Sequence, residues 1–130
     1  MIKIGVKIEN VVHEKIIKDS KGRITYCKDG NKEIIQRYGD DNNARYIKYK
    51  YNERQWIELT VIDNILITVA DTGLHSVEFF NDNGKVIRLI DSTGKEILND
   101  YESNHQKIIY PDGTINDIDF NLLNITNEED

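Results

Sequence analysis

The binding chemistry of this chain is concentrated between residues 37 and 56. This stretch holds three of the five arginines, four of the seven tyrosines and the single tryptophan, and it is net positive in an otherwise acidic chain. Guanidinium groups hold phosphate or carboxylate through paired hydrogen bonds, and aromatic rings stack on flat groups. The stretch therefore predicts a site for a small anionic, nucleotide-like ligand. The ligand-binding residues we expect are Arg37, Arg45, Tyr49, Tyr51, Arg54, Trp56 and, from further along the chain, Arg88.

Within this site we expect Arg45 and Arg54 to neutralise the anion, and Trp56 or a neighbouring tyrosine to stack on its flat part. A strand over 45–51 would place Arg45, Tyr49 and Tyr51 on one face, because alternate strand residues share a face. Two other interpretations stay open. The stretch is also typical of an ordinary edge strand whose lysines prevent unwanted pairing, and of a protein interface rich in Tyr, Trp and Arg.

The C-terminal region 98–130 has a different character, with eight acidic residues and one basic residue. Such a field disfavours long nucleic acids and favours either solubility or a basic protein partner. It supports an alternative function, an immunity or inhibitor protein that covers a basic toxin or nuclease. Asp112, Asp117 and Asp119 are the partner-binding residues of this alternative. An ordered acidic end at 127–130 would favour a homo-oligomer, since ordered termini usually pack against something.

Signatures of catalysis and of cofactor or metal binding are absent from the sequence. No two glycines are spaced as a phosphate-binding loop requires. The three histidines and Cys27 are scattered singly, so we expect no metal site, no cofactor and a small buried hydrophobic role for Cys27. Asp117 and Asp119 would share a strand face, as paired carboxylates for acid–base work do. A small hydrolase is the third hypothesis, and binding without catalysis ranks above it.

The compartment and source follow from composition. A single cysteine suits a reducing interior, and the chain shows neither an apolar leader at its start nor a run long enough for a membrane span. We therefore expect a cytoplasmic protein with no membrane partner. The 21 isoleucines and 14 asparagines against 2 alanines indicate an AT-rich genome, typical of a low-GC bacterium or its phage. A nucleotide-sequestering role in host defence or conflict between microbes fits that setting.

The elements that must position these residues are signalled by a recurring phrase of an Asx residue, a glycine, a basic residue and an apolar run. It is clearest at 19–24, 81–86 and 91–97. Glycine adopts positive φ at little cost and Asp or Asn bonds its own backbone, so each phrase predicts a chain reversal. The phrase broadly resembles the hairpin repeats of the YD and MORN families over residues 18–26 and 80–98, without their regular aromatic positions. We assign no family from it.

The fold class predicted is all-β, or β-rich α+β, in a single domain of residues 1–130. We expect an antiparallel hairpin meander that forms a sandwich or open barrel, with at most one or two short helices. Residues 10–18 and 119–126 fit helix and strand about equally. Ile65–Ala70 is continuously apolar and predicts a central strand buried on both faces. The strands expected are 2–8, 23–28, 32–38, 45–51, 55–62, 65–70, 74–80, 85–90, 95–98, 107–110 and 114–120. The core expected is Leu59, Val61, Ile65, Ile67, Val69, Val86, Ile87 and Leu89.

Overall fold

The computed structural model describes residues 2–4, 8 and 13–122, and within them the chain forms one antiparallel sheet of eleven strands. The strands follow one another in the sheet in sequence order, so every connection is a hairpin. The sheet is open, with β1 and β11 at its two edges, and the all-β meander is confirmed. The strands are β1 (Lys15–Lys18), β2 (Ile24–Asp29), β3 (Lys32–Tyr38), β4 (Ala44–Lys50), β5 (Trp56–Ile62), β6 (Ile65–Ala70), β7 (His75–Phe80), β8 (Val86–Asp91), β9 (Glu96–Asp100), β10 (His105–Ile109) and β11 (Ile115–Asp119).

The recurring phrase forms the reversals that the sequence predicts. In the first, Asp19 Oδ1 accepts hydrogen bonds from the backbone N–H groups of Lys21 and Arg23, at 2.9 and 3.0 Å. The carboxylate thus satisfies backbone donors that the turn leaves without a strand partner. Gly22 has a φ of 79°, which a glycine adopts without strain. Asn81 and Asp91 hold their turns in the same way, each accepting from the residues two and four positions later.

The strand registers divide the side chains between two faces, because directly opposed residues in an antiparallel pair point the same way. Lys48 pairs with Ile35 on β3 and with Glu58 on β5, so the side chains of these three residues point to the same side of the sheet. Arg88 lies on this side too, and we call it the charged face. Ile47 lies on the other side, opposite Gln36 and Leu59. We call this second side the apolar face.

Burial is confined to one part of the sheet. Among the described residues, the buried side chains are Cys27, Gln36, Ala44, Ile47 and Val61, all of which lie on β2 to β5. Of the expected core, only Val61 is among them. Leu59, Ile65, Ile67, Val69, Val86 and Leu89 are half-buried, and Ile87 is exposed. The expected core was wrong at these positions because the described residues form a single open sheet, with no second layer among them to cover its faces. Ile65–Ala70 is the sixth of eleven strands, as expected of a central strand, but it is half-buried throughout.

The two ambiguous segments resolve differently. Residues Lys15–Lys18 form a strand, and a short helix begins at Phe120 directly after β11, while residues 10–12 and 123–126 of these two segments lie outside the described residues. The first expected strand, 2–8, lies partly outside the described residues, and its described members at 2–4 and 8 are not in a strand. The expected ordered end at 127–130 lies outside the described residues. In the part of the chain that is described, no helix has the length and apolar character to cross a membrane.

Candidate functional site

A cleft bordered by one predicted site residue, Arg54, lies at one end of the sheet, where two hairpin turns stand side by side. The turn between β2 and β3 and the loop between β4 and β5 are neighbours because Glu33, near the start of β3, pairs with Lys50 at the end of β4. The cleft has a volume of about 560 Å³, within the range of small-molecule sites. Its lining residues are Lys28, Gly30, Asn31, Glu33, Asn52, Glu53, Arg54 and Gln55.

The loop that carries Arg54 is held in place by its own side chains. Asn52 Oδ1 accepts hydrogen bonds from the backbone N–H groups of Arg54 and Gln55, at 2.8 and 2.9 Å. The Asn52 amide also donates to Gln55 Oε1 at 2.8 Å. The Tyr51 N–H donates to the Gln55 carbonyl and closes the loop at its base. Such an Asx-type arrangement fixes the backbone from which the Arg54 guanidinium projects.

Some of the charged side chains around the cleft are paired with an opposite charge and others are not. Lys50 Nζ lies 3.6 Å from Glu53 and 4.0 Å from Glu33, so one ammonium serves both carboxylates. Within the described residues, the side-chain cations of Lys28 and Arg54 have neither an ion pair nor a hydrogen bond. Two cations without partners therefore border one cleft, and they are the groups there that an added anion would meet.

The aromatic residues expected beside this site lie around it but do not line it. Trp56 pairs with Lys50 on the charged face, and the Lys48 ammonium sits 4.6 Å from the centroid of its ring. This cation–π contact occupies one side of the indole. Tyr49 lies on the apolar face, where burial raises its pKa, and Tyr51 is 62% exposed. These two tyrosines border a separate groove of about 160 Å³.

Arg37 and Arg45 are committed to contacts of their own. The Arg37 guanidinium stacks 5.1 Å from the ring of Tyr46, its cross-strand partner. Arg45 Nη2 lies 2.7 Å from Asp41 Oδ2 in an ion pair. The groove beside Arg45 is also lined by Asp63, Asn64 and Asp82, whose two carboxylates disfavour a second anion.

Arg88 stands apart from the other predicted site residues. It lies on β8, three strands from β5, which at the usual strand spacing is about 14 Å. Its Nε donates to Glu96 Oε1 at 2.7 Å, and its guanidinium lies 5.4 Å from the ring of Phe79. Of the seven residues expected to bind the ligand, the structure thus brings only Arg54 to the cleft. The second cation of the cleft, Lys28, was not among the predicted residues.

The three aspartates of the alternative site occupy opposite ends of one hairpin. Asp117 and Asp119 share the charged face of β11, as the alternation predicts, and His105 lies between them. The distances are 3.2 Å from His105 Nδ1 to Asp117 Oδ1 and 3.6 Å from Nε2 to Asp119 Oδ2. Asp112 lies in the β10–β11 turn, at the other end of the hairpin, where its carboxylate accepts from the N–H and hydroxyl of Thr114. Those hydrogen bonds, with the hydroxyl first, lower the pKa of Asp112.

A second cluster forms where the chain enters the sheet. The β1–β2 pairing places Ile16 opposite Cys27, which brings His13, just before β1, close to the end of β2. One potential ligand atom from each of His13, Cys27 and Asp29 lies within 4.8 Å of the others. The hydrogen bond from His13 lowers the pKa of Asp29, and burial raises that of Cys27. Cys27 is buried, as expected, but the sequence reasoning missed this cluster.

Local sequence carried little signal for either group. Lys28 and Arg54 are separated by two hairpins, and only the register of β2 to β5 makes their turns neighbours. His13 and Cys27 have no spacing that marks a metal or catalytic motif, and they meet only through the β1–β2 ladder. A predicted pairing of 15–18 with 24–29 could have found the second group.

Comparisons of this chain with protein-family models, with curated proteins and with solved structures found no match.

Proposed function

We propose that this protein binds a small anionic ligand of the nucleotide class, without converting it, in the cleft between the β2–β3 turn and the β4–β5 loop. The observation that carries the proposal is the pair of cations, Lys28 and Arg54, that border the cleft with no partner among the described residues. Charged groups that lack a partner gain most from an added counter-charge.

The two cations suit different parts of such a ligand. The planar Arg54 guanidinium can hold two phosphate or carboxylate oxygens at once, while the Lys28 ammonium acts as a compact point charge. Because Asn52 already fixes the loop backbone, less conformational entropy is lost when Arg54 engages the ligand. The side-chain amide of Asn31 and that of Gln55 border the same space and add polar groups for orientation.

The lining supports binding rather than catalysis through a hydroxyl, thiol or imidazole nucleophile. The described residues around the cleft offer carboxylates, amides and cations, and include no hydroxyl, thiol or imidazole side chain. Covalent catalysis through a serine, cysteine or histidine nucleophile therefore has no starting group among these residues. Sequestration of a nucleotide in the cytoplasm of a low-GC bacterium, by the cell or its phage, remains the biological setting that we propose.

A thermal-shift panel of ATP, ADP, AMP and cyclic nucleotides tests this proposal. A ligand that binds only the native state raises the melting temperature. We expect Lys28→Gln and Arg54→Gln each to weaken binding by about 1.5–3 kcal/mol, the value of a hydrogen bond to a charged group. That corresponds to about 10- to 150-fold in Kd.

The matched control is Arg88→Gln, which removes an arginine that is three strands away and paired with Glu96. It should leave the affinity unchanged. No shift with any of these nucleotides at millimolar concentration would refute the nucleotide class. Equal losses in Arg54→Gln and Arg88→Gln would refute the cleft.

A basic protein partner is the second candidate, and the position of Asp117 and Asp119 on the edge strand β11 favours it. Their side chains are 55% and 31% exposed, so both carboxylates can be reached from solvent. For a basic partner steered by these charges, association should slow as salt rises, because the Debye length falls from about 30 Å at 0.01 M to about 8 Å at 0.15 M. Replacing both aspartates by lysine should lower the association rate. An association rate that changes neither with salt nor with the double replacement would exclude this candidate.

A further inference from the structure

We infer that His13, Cys27 and Asp29 form a binding site for a divalent metal ion of the zinc type. The three residues offer a ring nitrogen, a sulfur and a carboxylate oxygen, with one ligand atom from each lying within 4.8 Å of the others. The inference rests on the β1–β2 end of the apolar face, and it does not depend on the anion cleft.

The donor set selects the metal. Zinc binds Cys sulfur at about 2.3 Å, His nitrogen at about 2.0–2.1 Å and Asp oxygen at about 2.0–2.2 Å. Calcium and magnesium prefer oxygen ligands alone, so a site with sulfur and imidazole disfavours both. Three protein ligands leave the fourth tetrahedral position for water or another group.

The geometry is close to what zinc requires. Bond lengths of this size in a tetrahedron separate neighbouring ligand atoms by about 3.3–3.7 Å. His13 Nδ1 and Asp29 Oδ2 now lie 2.6 Å apart in a hydrogen bond, so a metal that uses both atoms would move them apart by about 1 Å. Because the three ligand atoms lie within 4.8 Å of one another, no two of them would have to approach each other by much more than about 1 Å. Shifts of this size lie within the reach of side-chain rotation.

The surrounding contacts hold the ligands in place. Asp29 Oδ1 accepts a hydrogen bond from the Glu14 N–H at 3.0 Å, which orients the carboxylate. Glu14 Oε2 in turn accepts from the Gly30 N–H at 2.9 Å. These two hydrogen bonds hold Glu14, which directly precedes β1, against the end of β2 and the turn that follows it. Outer hydrogen bonds of this kind fix the orientation of metal ligands.

The same three residue types could instead form a thiol nucleophile, a base and an orienting carboxylate. Burial argues against that use, because Cys27 is only 3% exposed and a substrate could not reach its sulfur. A metal ion needs no such access, since it can remain enclosed by its ligands. On metal binding the Cys27 thiol would release its proton to solvent and coordinate as thiolate.

Titration of the chelator-treated protein with Co²⁺ tests the site directly. Cys27 is the single cysteine, so a thiolate-to-Co²⁺ charge-transfer band in the near ultraviolet can come from this site alone. We expect one Co²⁺ per chain, displacement by Zn²⁺ with loss of the band, and a higher melting temperature with Zn²⁺.

The variants separate a three-ligand site from a lone thiol. His13→Ala and Asp29→Asn should each weaken Co²⁺ binding at least 10-fold, as measured from the band, and Cys27→Ser should abolish it. Because Cys27 is buried, its variant requires a check of folding by circular dichroism. Asp29 has a side chain that is 48% exposed, and its variant serves if Cys27→Ser fails to fold. His105→Ala is the control, since that histidine also lies beside two aspartates. No band in the wild type, or a band that His13→Ala and Asp29→Asn leave unchanged, would overturn the inference.

Discussion

Replacing Ile47 by alanine should destabilise the sheet more than replacing any exposed isoleucine. Ile47 is fully buried on β4, between Gln36 on β3 and Leu59 on β5. Large-to-small changes at such sites cost about 2–5 kcal/mol, because transfer free energy is lost and a cavity remains. A sheet without a second layer can collapse partly around the gap, so we expect about 2–4 kcal/mol. For a chain of this size that lowers the melting temperature by about 6–16 °C.

The control is Ile62→Ala at the end of the adjacent strand β5. Ile62 is 54% exposed, so the same chemical change there removes about half as much buried surface and encloses no cavity. Both positions are in strands, and the loss of β propensity is therefore common to the two variants. We expect the Ile62 variant to lose about 1 kcal/mol or less. Urea unfolding followed by circular dichroism measures both, and equal losses would refute the argument that the burial of Ile47 sets its contribution to stability.

Two further predictions concern the turns. Gly84 and Gly94 both have positive φ, at 79° and 88°, and either change to alanine should cost about 1–2 kcal/mol of unfolding free energy from backbone strain. Gly94→Ala should cost more, because its new Cβ would lie 3.2 Å from Pro111 Cγ, whereas a Cβ at Gly84 would meet nothing within 4 Å. Thermal melts that rank the two variants in the reverse order would contradict this prediction. Hydrogen bonds to the Asp91 carboxylate lower its pKa in the folded state, and the bond from the Thr93 hydroxyl has the largest effect. The stability that these bonds contribute is therefore present above about pH 4 and is lost as the pH falls through the folded pKa. Asp91→Asn should therefore reduce the loss of unfolding free energy on acidification from pH 5 to about pH 2, and an unchanged slope in urea unfolding across that range would count against it.

The hairpin order of this fold could be predicted because its signals are local. Each turn phrase needs only an Asx side chain and a glycine with positive φ, as at Asp19 and Gly22. The strands at Lys32–Tyr38 and Ile65–Ala70 have the bounds that the sequence predicts. Strands β2, β4, β5 and β7 to β11 differ from the predicted bounds by a residue or two at their ends. Strand β1 lies in the segment 10–18, which fits helix and strand equally in sequence, and the described members of the expected strand 2–8 are not in a strand.

Burial could not be predicted in the same way, because it depends on how many layers pack together. The apolar runs at Ile65–Ala70 and 85–90 have the composition of core strands, yet they are half-buried or exposed in a single open sheet. The pairing of the arginines could not be predicted for a related reason. Arg45 and Arg88 have the same chemistry as Arg54, but Asp41 in the preceding turn pairs with Arg45, and Glu96 on the next strand pairs with Arg88. The contact with Glu96 becomes apparent only from the strand register.

Backbone amide NMR of the ¹⁵N-labelled protein during titration with ATP tests the central proposal most directly. Each amide reports its own surroundings, so the spectrum locates the ligand without any mutation. We predict that the largest shift changes occur at Gly30, Asn31 and the loop residues 52–55 around the cleft, with little change on β8 to β11. The largest changes at Arg88 or near Asp117, or no changes at millimolar ATP, would contradict the account.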